Sequence, residues 1–205
     1  MRAAQPSPAG ALTVDPATGL IDGAGFVPSP NCDERPPGCS PELIVVHSIS
    51  LPPGEFGGPW IEKLFTNRLP PLAHPYFATL RDARVSAHAL VRRDGLVIQF
   101  VPMGRRAWHA GESSWQGRSC CNDFSVGIEL EGTDATPYED VQYAVLARLA
   151  AGLFDAYPGL QPDALAGHAD IAPGRKTDPG PAFDWPRLRA LVEIVRHGPR
   201  RKGGS

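Results

Sequence analysis

Two segments carry the pattern of apolar residues that is typical of buried β-strands. Residues 42–49, ELIVVHSI, contain a continuous apolar run that ends at His47, and such runs are typical of strands buried on both faces. Residues 124–131, FSVGIELE, alternate apolar residues with small or acidic ones, so Glu129 and Glu131 share one face of that strand. The pattern alone favours an exposed face for these two carboxylates, because acidic side chains are rarely buried.

A β-hairpin is predicted over residues 85–102. Two apolar segments there are separated by Asp94 and Gly95, a pair that supplies the positive φ angles required by a type I′ turn. We therefore expect two antiparallel strands joined by a tight turn.

Helical spacing of apolar residues, together with capping signals, predicts three helices. Thr136 and Glu139 have the spacing of a capping box, with proline at the first helical position between them. Asp184 is suited to cap the last helix, which Gly198 would end. The helices are expected over residues 60–65, 137–156 and 185–197. Since strands and helices alternate irregularly, we expect an α/β fold, a single domain with a mixed central β-sheet flanked by helices.

Length and composition limit the class of protein. The chain has 205 residues, of which 42% are hydrophobic and 20% charged, and this fits one globular domain. A net charge of −2 gives no electrostatic case for nucleic-acid binding. No apolar run is long enough for a signal peptide or a membrane span, so a cytoplasmic protein is expected. We expect a flexible N-terminal extension at residues 1–20, the domain at 21–197, and a disordered basic tail at 198–205.

The four cysteines are expected to be free thiols. Cys120 and Cys121 are adjacent in sequence, and a cytoplasmic protein seldom keeps disulfides. The chain contains no CxxC motif, which disfavours a structural zinc site built from cysteines.

Residues 167–181, GHADIAPGRKTDPGP, have the composition of a functional loop. They combine His168, Asp170, Lys176 and Asp178 with several prolines and glycines. A loop held on a rigid scaffold can direct such groups into a site. The same composition is also compatible with a solvated loop whose charged groups are incidental.

One histidine elsewhere could join this loop in a metal site. His47, at the end of its strand, would make a three-ligand set with His168 and Asp178, which leaves a fourth zinc position open for water. The long spacing matches no short zinc motif, and a lone histidine at a strand end is more often structural. The residues alone leave both interpretations open.

Five segments, taken in order, resemble the AmpD-type zinc amidases, which are 1,6-anhydro-N-acetylmuramyl-L-alanine amidases of the N-acetylmuramoyl-L-alanine amidase family. The resemblance extends over about residues 25–190, most of the chain, and the five segments read VVHSISLPPGEFGGPW, RVSAHALVRRDG, RAWHAG, CNDFSVGIELEGTD and GHADIAPGRKTDPGPAFDW. The resemblance implies Zn²⁺ held by His47, His168 and Asp178. It also implies catalytic roles for Glu129 and Lys176, which reverses the exposed position that the strand pattern favours for Glu129.

The resemblance further implies a muropeptide substrate, cut between N-acetylmuramic acid and L-alanine in cell-wall recycling. Arg84 is our candidate for binding a substrate carboxylate, since guanidinium groups pair with carboxylates in bidentate fashion. Trp108 and His109 could form a platform for a sugar ring, or could belong to a packed surface loop. Two positions depart from the family pattern: Ser48 stands where asparagine is common, and Cys120 where a basic residue is expected.

Two alternatives remain at the level of sequence. Some relatives in this superfamily bind peptidoglycan without turnover, but such binders commonly lack a metal ligand, whereas this chain has all the candidates. A zinc peptidase that cuts peptides without the muramyl sugar is the other alternative. We expect a monomer whose partner is the small-molecule substrate.

Overall fold

The structure is a computed structural model that describes residues 12–198. The strands are β1 (Gly25–Phe26), β2 (Cys32–Asp33), β3 (Leu43–Ile49), β4 (Ala89–Val91), β5 (Val97–Gln99), β6 (Arg106–Ala107), β7 (Ser114–Trp115), β8 (Arg118–Ser119), β9 (Ser125–Glu131) and β10 (Leu165–Gly167). The helices are α1 (Trp60–Phe65), α2 (Pro75–Ala78), α3 (Asp140–Ala156), α4 (His168–Ile171) and α5 (Trp185–His197), with a 3₁₀ turn at Cys121–Asp123. The tail predicted to be disordered, apart from its first residue, lies outside the described residues.

Six strands form the central sheet in the order β1-β5-β4-β9-β3-β10. Every neighbouring pair is parallel except β4 and β5, which are antiparallel. This confirms the predicted mixed sheet in a single α/β domain. Two small antiparallel ladders, β2 with β6 and β7 with β8, lie outside it.

The register of three neighbouring strands brings distant residues to one edge of the sheet. His47 in β3 is paired with Glu129 in β9. Gly167, the last residue of β10, is paired with Val46, so His168 follows at the level of His47. Because the three strands are parallel, their carboxyl ends meet at this edge, which is where α/β sheets commonly hold ligands.

Helices α3 and α5 cover one face of the sheet. Buried side chains of β9 and of the two helices share one apolar cluster there, among them Ile128, Leu130, Leu146, Leu149 and Leu188. Since successive side chains of a strand point to opposite faces, Glu129 emerges on the face away from these helices, and His47 with it.

The N-terminal segment packs against helix α3 from Leu12 onward. Leu12 and Val14 are buried in the core, and the Leu12 amide donates to the Arg148 carbonyl at 3.1 Å. Helix residue Gly152 makes this approach possible, because a Cβ atom there would lie 1.8 Å from the Leu12 carbonyl oxygen. From Leu12 the chain therefore belongs to the domain, which corrects the loose arm expected for residues 1–20; residues 1–11 lie outside the described part.

The hairpin is present, but the predicted type I′ turn is wrong. Strands β4 and β5 pair up to Val91 and Val97, which leaves a five-residue loop. In that loop Gly95 has a φ of +84°, whereas Asp94 is not among the residues with positive φ. Asp94 acts through its side chain, which accepts a hydrogen bond from the Leu96 amide at 3.0 Å.

Helix α3 begins at Asp140, later than the capping box at Thr136 and Glu139 predicted. The Thr136 amide and hydroxyl both bond to the Thr133 hydroxyl, so Thr136 is not available as a cap. Glu139 is the N-cap instead, and its amide donates to the Gln142 side chain at 3.0 Å in a reciprocal capping box.

Other local predictions are confirmed. Helices α1 and α5 have the expected bounds, and Asp184 caps α5 by accepting from the Arg187 amide. All four cysteines lie within the described residues and are free thiols. No helix within residues 12–198 is both long enough and apolar enough to cross a membrane. The segment predicted as a functional loop, residues 167–181, also contains the short helix α4.

Candidate metal centre and active site

A cleft of about 600 Å³ opens at the carboxyl ends of β3, β9 and β10. It brings together six of the residues that the sequence singled out: His47, His109, Glu129, His168, Lys176 and Asp178. Strand β3 supplies the first of them, β9 supplies Glu129, and the segment after β10 supplies the last three. Rigid parallel strands thus position groups that are more than a hundred residues apart in sequence.

Three potential metal-binding atoms converge in this cleft. The Nδ1 atoms of His47 and His168 lie 3.0 Å apart. Asp178 Oδ2 lies 3.2 Å from the first and 3.1 Å from the second. This is the set of two imidazoles and one carboxylate that the sequence had suggested, and the three residues form a candidate metal site.

The hydrogen bonding of His168 shows that this arrangement suits a cation. Its Nε2 lies 3.1 Å from the Ala110 carbonyl oxygen, which can only accept, so Nε2 carries the hydrogen. In the neutral ring, Nδ1 then presents a lone pair toward the Asp178 carboxylate. Two acceptors facing each other repel, whereas a metal ion between them would be bound by both.

The electrostatics keep these groups in the protonation states that a metal requires. Burial lowers the pKa of His47 to about 4, although the neighbouring Asp178 carboxylate opposes this. Burial alone would raise the pKa of Asp178, but the neighbouring imidazoles of His168 and His47 outweigh it and hold the pKa below its usual value. A neutral imidazole beside an ionised carboxylate is the state that binds zinc.

Glu129 is a buried carboxylate next to the candidate metal site. It is 9% exposed, and its Oε2 is buried with no hydrogen-bond partner among the described residues. Burial raises the pKa of Glu129 well above its usual value, Asp178 raises it further, and Lys176 lowers it. A buried carboxylate oxygen without a hydrogen bond lowers the stability of the fold. Such atoms are typical of functional groups that bind substrate or water.

The remaining candidates for substrate binding differ in position. Arg84 is exposed and donates to the carbonyls of Arg81 and Ala83. The Trp108 indole nitrogen donates to Asp33 at 3.1 Å. Neither Arg84 nor Trp108 is among the residues that line the cleft, and their roles stay predictions.

Asp134 is a residue of the cleft that sequence reasoning missed. Its carboxylate accepts from the Ser48 hydroxyl at 3.1 Å and from the Thr177 hydroxyl at 2.5 Å. It therefore ties the end of β3 to the loop that carries Lys176 and Asp178. The only signal in the sequence is its place two residues after the GIELEG segment, which does not reveal a contact with residues so far away.

Asn122 is a second missed residue. Its side-chain oxygen accepts from the amides of His109 and Ala110, at 3.1 and 2.8 Å. Arg175 adds to this by donating to the Ala110 carbonyl at 2.6 Å. The segment that contacts both histidines of the metal site is thus held from two sides.

Comparison with known proteins identifies relatives over most of the chain. Residues 37–181 match the family described as N-acetylmuramoyl-L-alanine amidase. The 1,6-anhydro-N-acetylmuramyl-L-alanine amidase AmpD of Escherichia coli K12 is 60% identical over 174 residues, which are 85% of this chain and 94% of that protein. A crystal structure of a selenomethionine derivative of AmpD aligns with a TM-score of 0.83 at 59% identity, covering 85% of this chain and 97% of that one.

A more distant structure carries a ligand. The N-acetylmuramyl-L-alanine amidase AmiD from Escherichia coli, in complex with the substrate anhydro-N-acetylmuramic acid-L-Ala-D-γ-Glu-L-Lys, aligns with a TM-score of 0.54 at 31% identity. The match covers 77% of this chain and 60% of that one.

Proposed function

The chain belongs to the N-acetylmuramoyl-L-alanine amidase family, and from that premise we propose that it hydrolyses the amide bond between anhydro-N-acetylmuramic acid and the L-alanine of a stem peptide. The observation that carries the proposal is the convergence of His47, His168 and Asp178 beside the orphaned carboxylate of Glu129. The AmpD relatives and the substrate bound to AmiD indicate the substrate class.

We propose Zn²⁺ as the cofactor, held by His47 Nδ1, His168 Nδ1 and Asp178 Oδ2. Three protein ligands of these types are typical of catalytic zinc sites. When bound, the ion supplies Lewis-acid polarisation of the scissile carbonyl and activation of a water molecule.

Glu129 is the proposed general base. Its Oε2 has no hydrogen-bond partner within residues 12–198, so it is free to take a proton from water and to pass it to the leaving amine. A base must be ionised, and a divalent cation on the neighbouring ligands would offset the effects of burial and of Asp178 that raise the pKa of Glu129.

Lys176 is proposed to stabilise the oxyanion. It lines the cleft, two residues before Asp178, and its side chain is exposed. A cation near the scissile carbonyl favours the transition state, in which negative charge develops on that oxygen.

The proposal extends to the substrate and its setting. Arg84 is assigned to a carboxylate of the stem peptide, and Trp108 and His109 to the sugar side. Cys120, which is exposed where relatives are expected to carry a basic residue, would leave one carboxylate contact unmade. We further propose that the protein is a cytoplasmic monomer that acts in muropeptide recycling.

The test is mass spectrometry of products from purified anhydro-muropeptide, with zinc-loaded protein, with chelator, and with zinc restored. We expect free anhydro-N-acetylmuramic acid and an intact stem peptide that begins with L-alanine, and we expect chelation to stop their formation reversibly. The His168→Ala variant serves as a matched control that lacks one ligand.

Other outcomes would contradict the proposal. Binding of muropeptide without any product from zinc-loaded protein would indicate a non-catalytic binder. Cleavage within the stem peptide would indicate a peptidase. Equal rates with and without chelator would remove the metal from the mechanism.

A further inference from the structure

The carbonyl oxygen of Cys121 begins a chain of hydrogen bonds that leads to the metal site. Ser125 Oγ lies 2.6 Å from that oxygen, which can only accept, so the serine hydroxyl donates to it. Ser125 Oγ also lies 3.1 Å from His109 Nε2. Because its one hydrogen is already used, the serine oxygen accepts there, and His109 Nε2 must carry a hydrogen.

The next link follows from the same reasoning. A neutral imidazole with its hydrogen on Nε2 has a lone pair on Nδ1. His109 Nδ1 lies 2.9 Å from His47 Nε2, so His47 Nε2 donates to it. His47 Nδ1 is then left with a lone pair, and this is the atom that faces His168 and Asp178.

His109 is held firmly in this position. Its backbone amide and that of Ala110 donate to the Asn122 side chain. Its ring lies directly over Gly127, where a Cβ atom would be 2.4 Å from the ring carbon Cγ. The rings of His109 and His47 meet edge to face, with centroids 5.0 Å apart and planes at 86°.

We propose that His109 is a positioning residue, which together with Ser125 holds His47 in the Nε2–H form so that Nδ1 is presented to the metal. The hydrogen bond to the second nitrogen of a histidine ligand fixes the tautomer and orients the ring. This role rests on the metal-binding part of the proposed function and not on the reaction. Both ring nitrogens of His109 are engaged, so only its carbon edge remains to meet a substrate.

Two substitutions at one position separate hydrogen bonding from shape. His109→Gln keeps an acceptor for His47 and a donor for Ser125, whereas His109→Leu keeps bulk and removes both. We expect His109→Leu to bind zinc about 10- to 100-fold more weakly than the unmodified protein, measured by competition with a chelator. We expect His109→Gln to recover most of that loss.

Substitution of the serine provides a second test if the leucine variant does not fold. Ser125→Ala removes the group that keeps the hydrogen on His109 Nε2, so zinc affinity should fall in the same direction. Ser29→Ala is the matched control, because Ser29 is also buried and donates to a carbonyl, that of Phe65, through a bond that does not reach the metal site. It should leave zinc affinity unchanged.

A spectroscopic measurement reads the tautomer directly. Long-range ¹H–¹⁵N correlation spectra of the zinc-loaded full chain should show His47 protonated at Nε2 and metal-bound at Nδ1. The cobalt-substituted His109→Leu variant should also show altered ligand-field absorption, which a defect confined to folding stability would not produce.

Three results would overturn the proposal: wild-type zinc affinity in His109→Leu, equal losses in the leucine and glutamine variants, or His47 protonated at Nδ1. Failure of the proposed function would look different. A protein that shows the leucine–glutamine difference in zinc affinity but releases no product from anhydro-muropeptide would refute the amidase and leave this role of His109 intact.

Discussion

Glu129 and Lys176 line the same cleft, but they differ in burial and in the element that carries them. Glu129 is buried and lies in a seven-residue strand paired on both sides, whereas Lys176 is exposed on the loop before Asp178. A rigidly held, desolvated carboxylate is suited to proton transfer, because its position and its pKa are both set by the fold. An exposed ammonium group is suited to follow charge that develops on a substrate.

We predict that Glu129→Gln and Lys176→Met keep zinc and lose most of kcat. Loss of a general base typically lowers the rate about 10²- to 10⁴-fold, and loss of one oxyanion stabiliser about 10²- to 10³-fold. KM should change far less, because both interactions are made mainly in the transition state. Steady-state kinetics with zinc content from elemental analysis measures both effects.

Lys63→Met is the matched control for the lysine variant. The Lys63 ammonium lies over the Trp60 ring, and the residue is not part of the cleft lining, so its removal should leave kcat unchanged. Near-wild-type kcat in zinc-loaded Glu129→Gln would rule out the assignment of the general base.

At the scale of elements, the contact between helix α3 and the N-terminal segment predicts whether Gly152→Ala stabilises or destabilises the protein. Replacing a helical glycine by alanine normally stabilises a helix by about 1 kcal/mol. At Gly152 the added Cβ would overlap the Leu12 carbonyl, and overpacking typically costs about 1–3 kcal/mol. We therefore expect Gly152→Ala to lower the free energy of unfolding, measured by denaturant titration; a stabilised variant would mean that Leu12 does not pack there in solution.

Elements were predictable from sequence where their signals are local. Helix α5 begins where expected because Asp184 caps it, and a cap acts within a turn of the end that it fixes. Helix α1 also has the expected bounds, with Pro59 before its first residue and no side-chain cap. The predicted start of α3 was wrong because Thr136 and Glu139 are both suitable N-cap residues. Hydrogen bonds between Thr136 and Thr133 leave Glu139 as the N-cap.

The candidate site was less predictable from local patterns. The contact between His47 and His168 depends on β3 and β10 being neighbours in the sheet, and no short pattern encodes which strands pair. Resemblance to a family indicated the set of metal-site residues, whereas the residues alone left it open. The links through Asp134 were missed for the same reason, since they join segments that are distant in sequence. The bonds of Asn122 span 12 and 13 residues, a separation that matches no short motif.

For the whole molecule, His88, a buried histidine that is not a candidate metal ligand, makes the free energy of unfolding depend on pH. His88 is fully buried, its Nδ1 accepts from the Gly127 amide, and its Nε2 donates to the Arg105 carbonyl. Burial, assisted by the Arg35 charge, lowers the pKa of His88 to about 3. In the unfolded chain His88 has its ordinary pKa of about 6.5. Below that pH the unfolded chain therefore binds a proton at His88, whereas the folded protein does not.

We predict that this residue contributes a loss of stability as pH falls from about 6.5 toward 3. His88→Gln keeps an acceptor and a donor but does not titrate. The difference in unfolding free energy between the two proteins should shift in favour of the variant by up to about 1.4 kcal/mol for each pH unit below 6.5. Denaturant titrations of metal-free protein at pH 7.5 and pH 5 measure it, and a difference that does not depend on pH would contradict the assignment.

The packing of two flanking segments against α3, one that begins at Leu12 and one that is helix α5, limits how far this protein can be shortened. The segment that matches the family, residues 37–181, omits Leu12 and Val14 on one side and the whole of α5 on the other. Trimmed to that segment, the protein would expose the apolar face of α3 to water and become prone to aggregation. A shortened protein must therefore retain the segment from Leu12 and helix α5, or replace the apolar surface with which they cover α3.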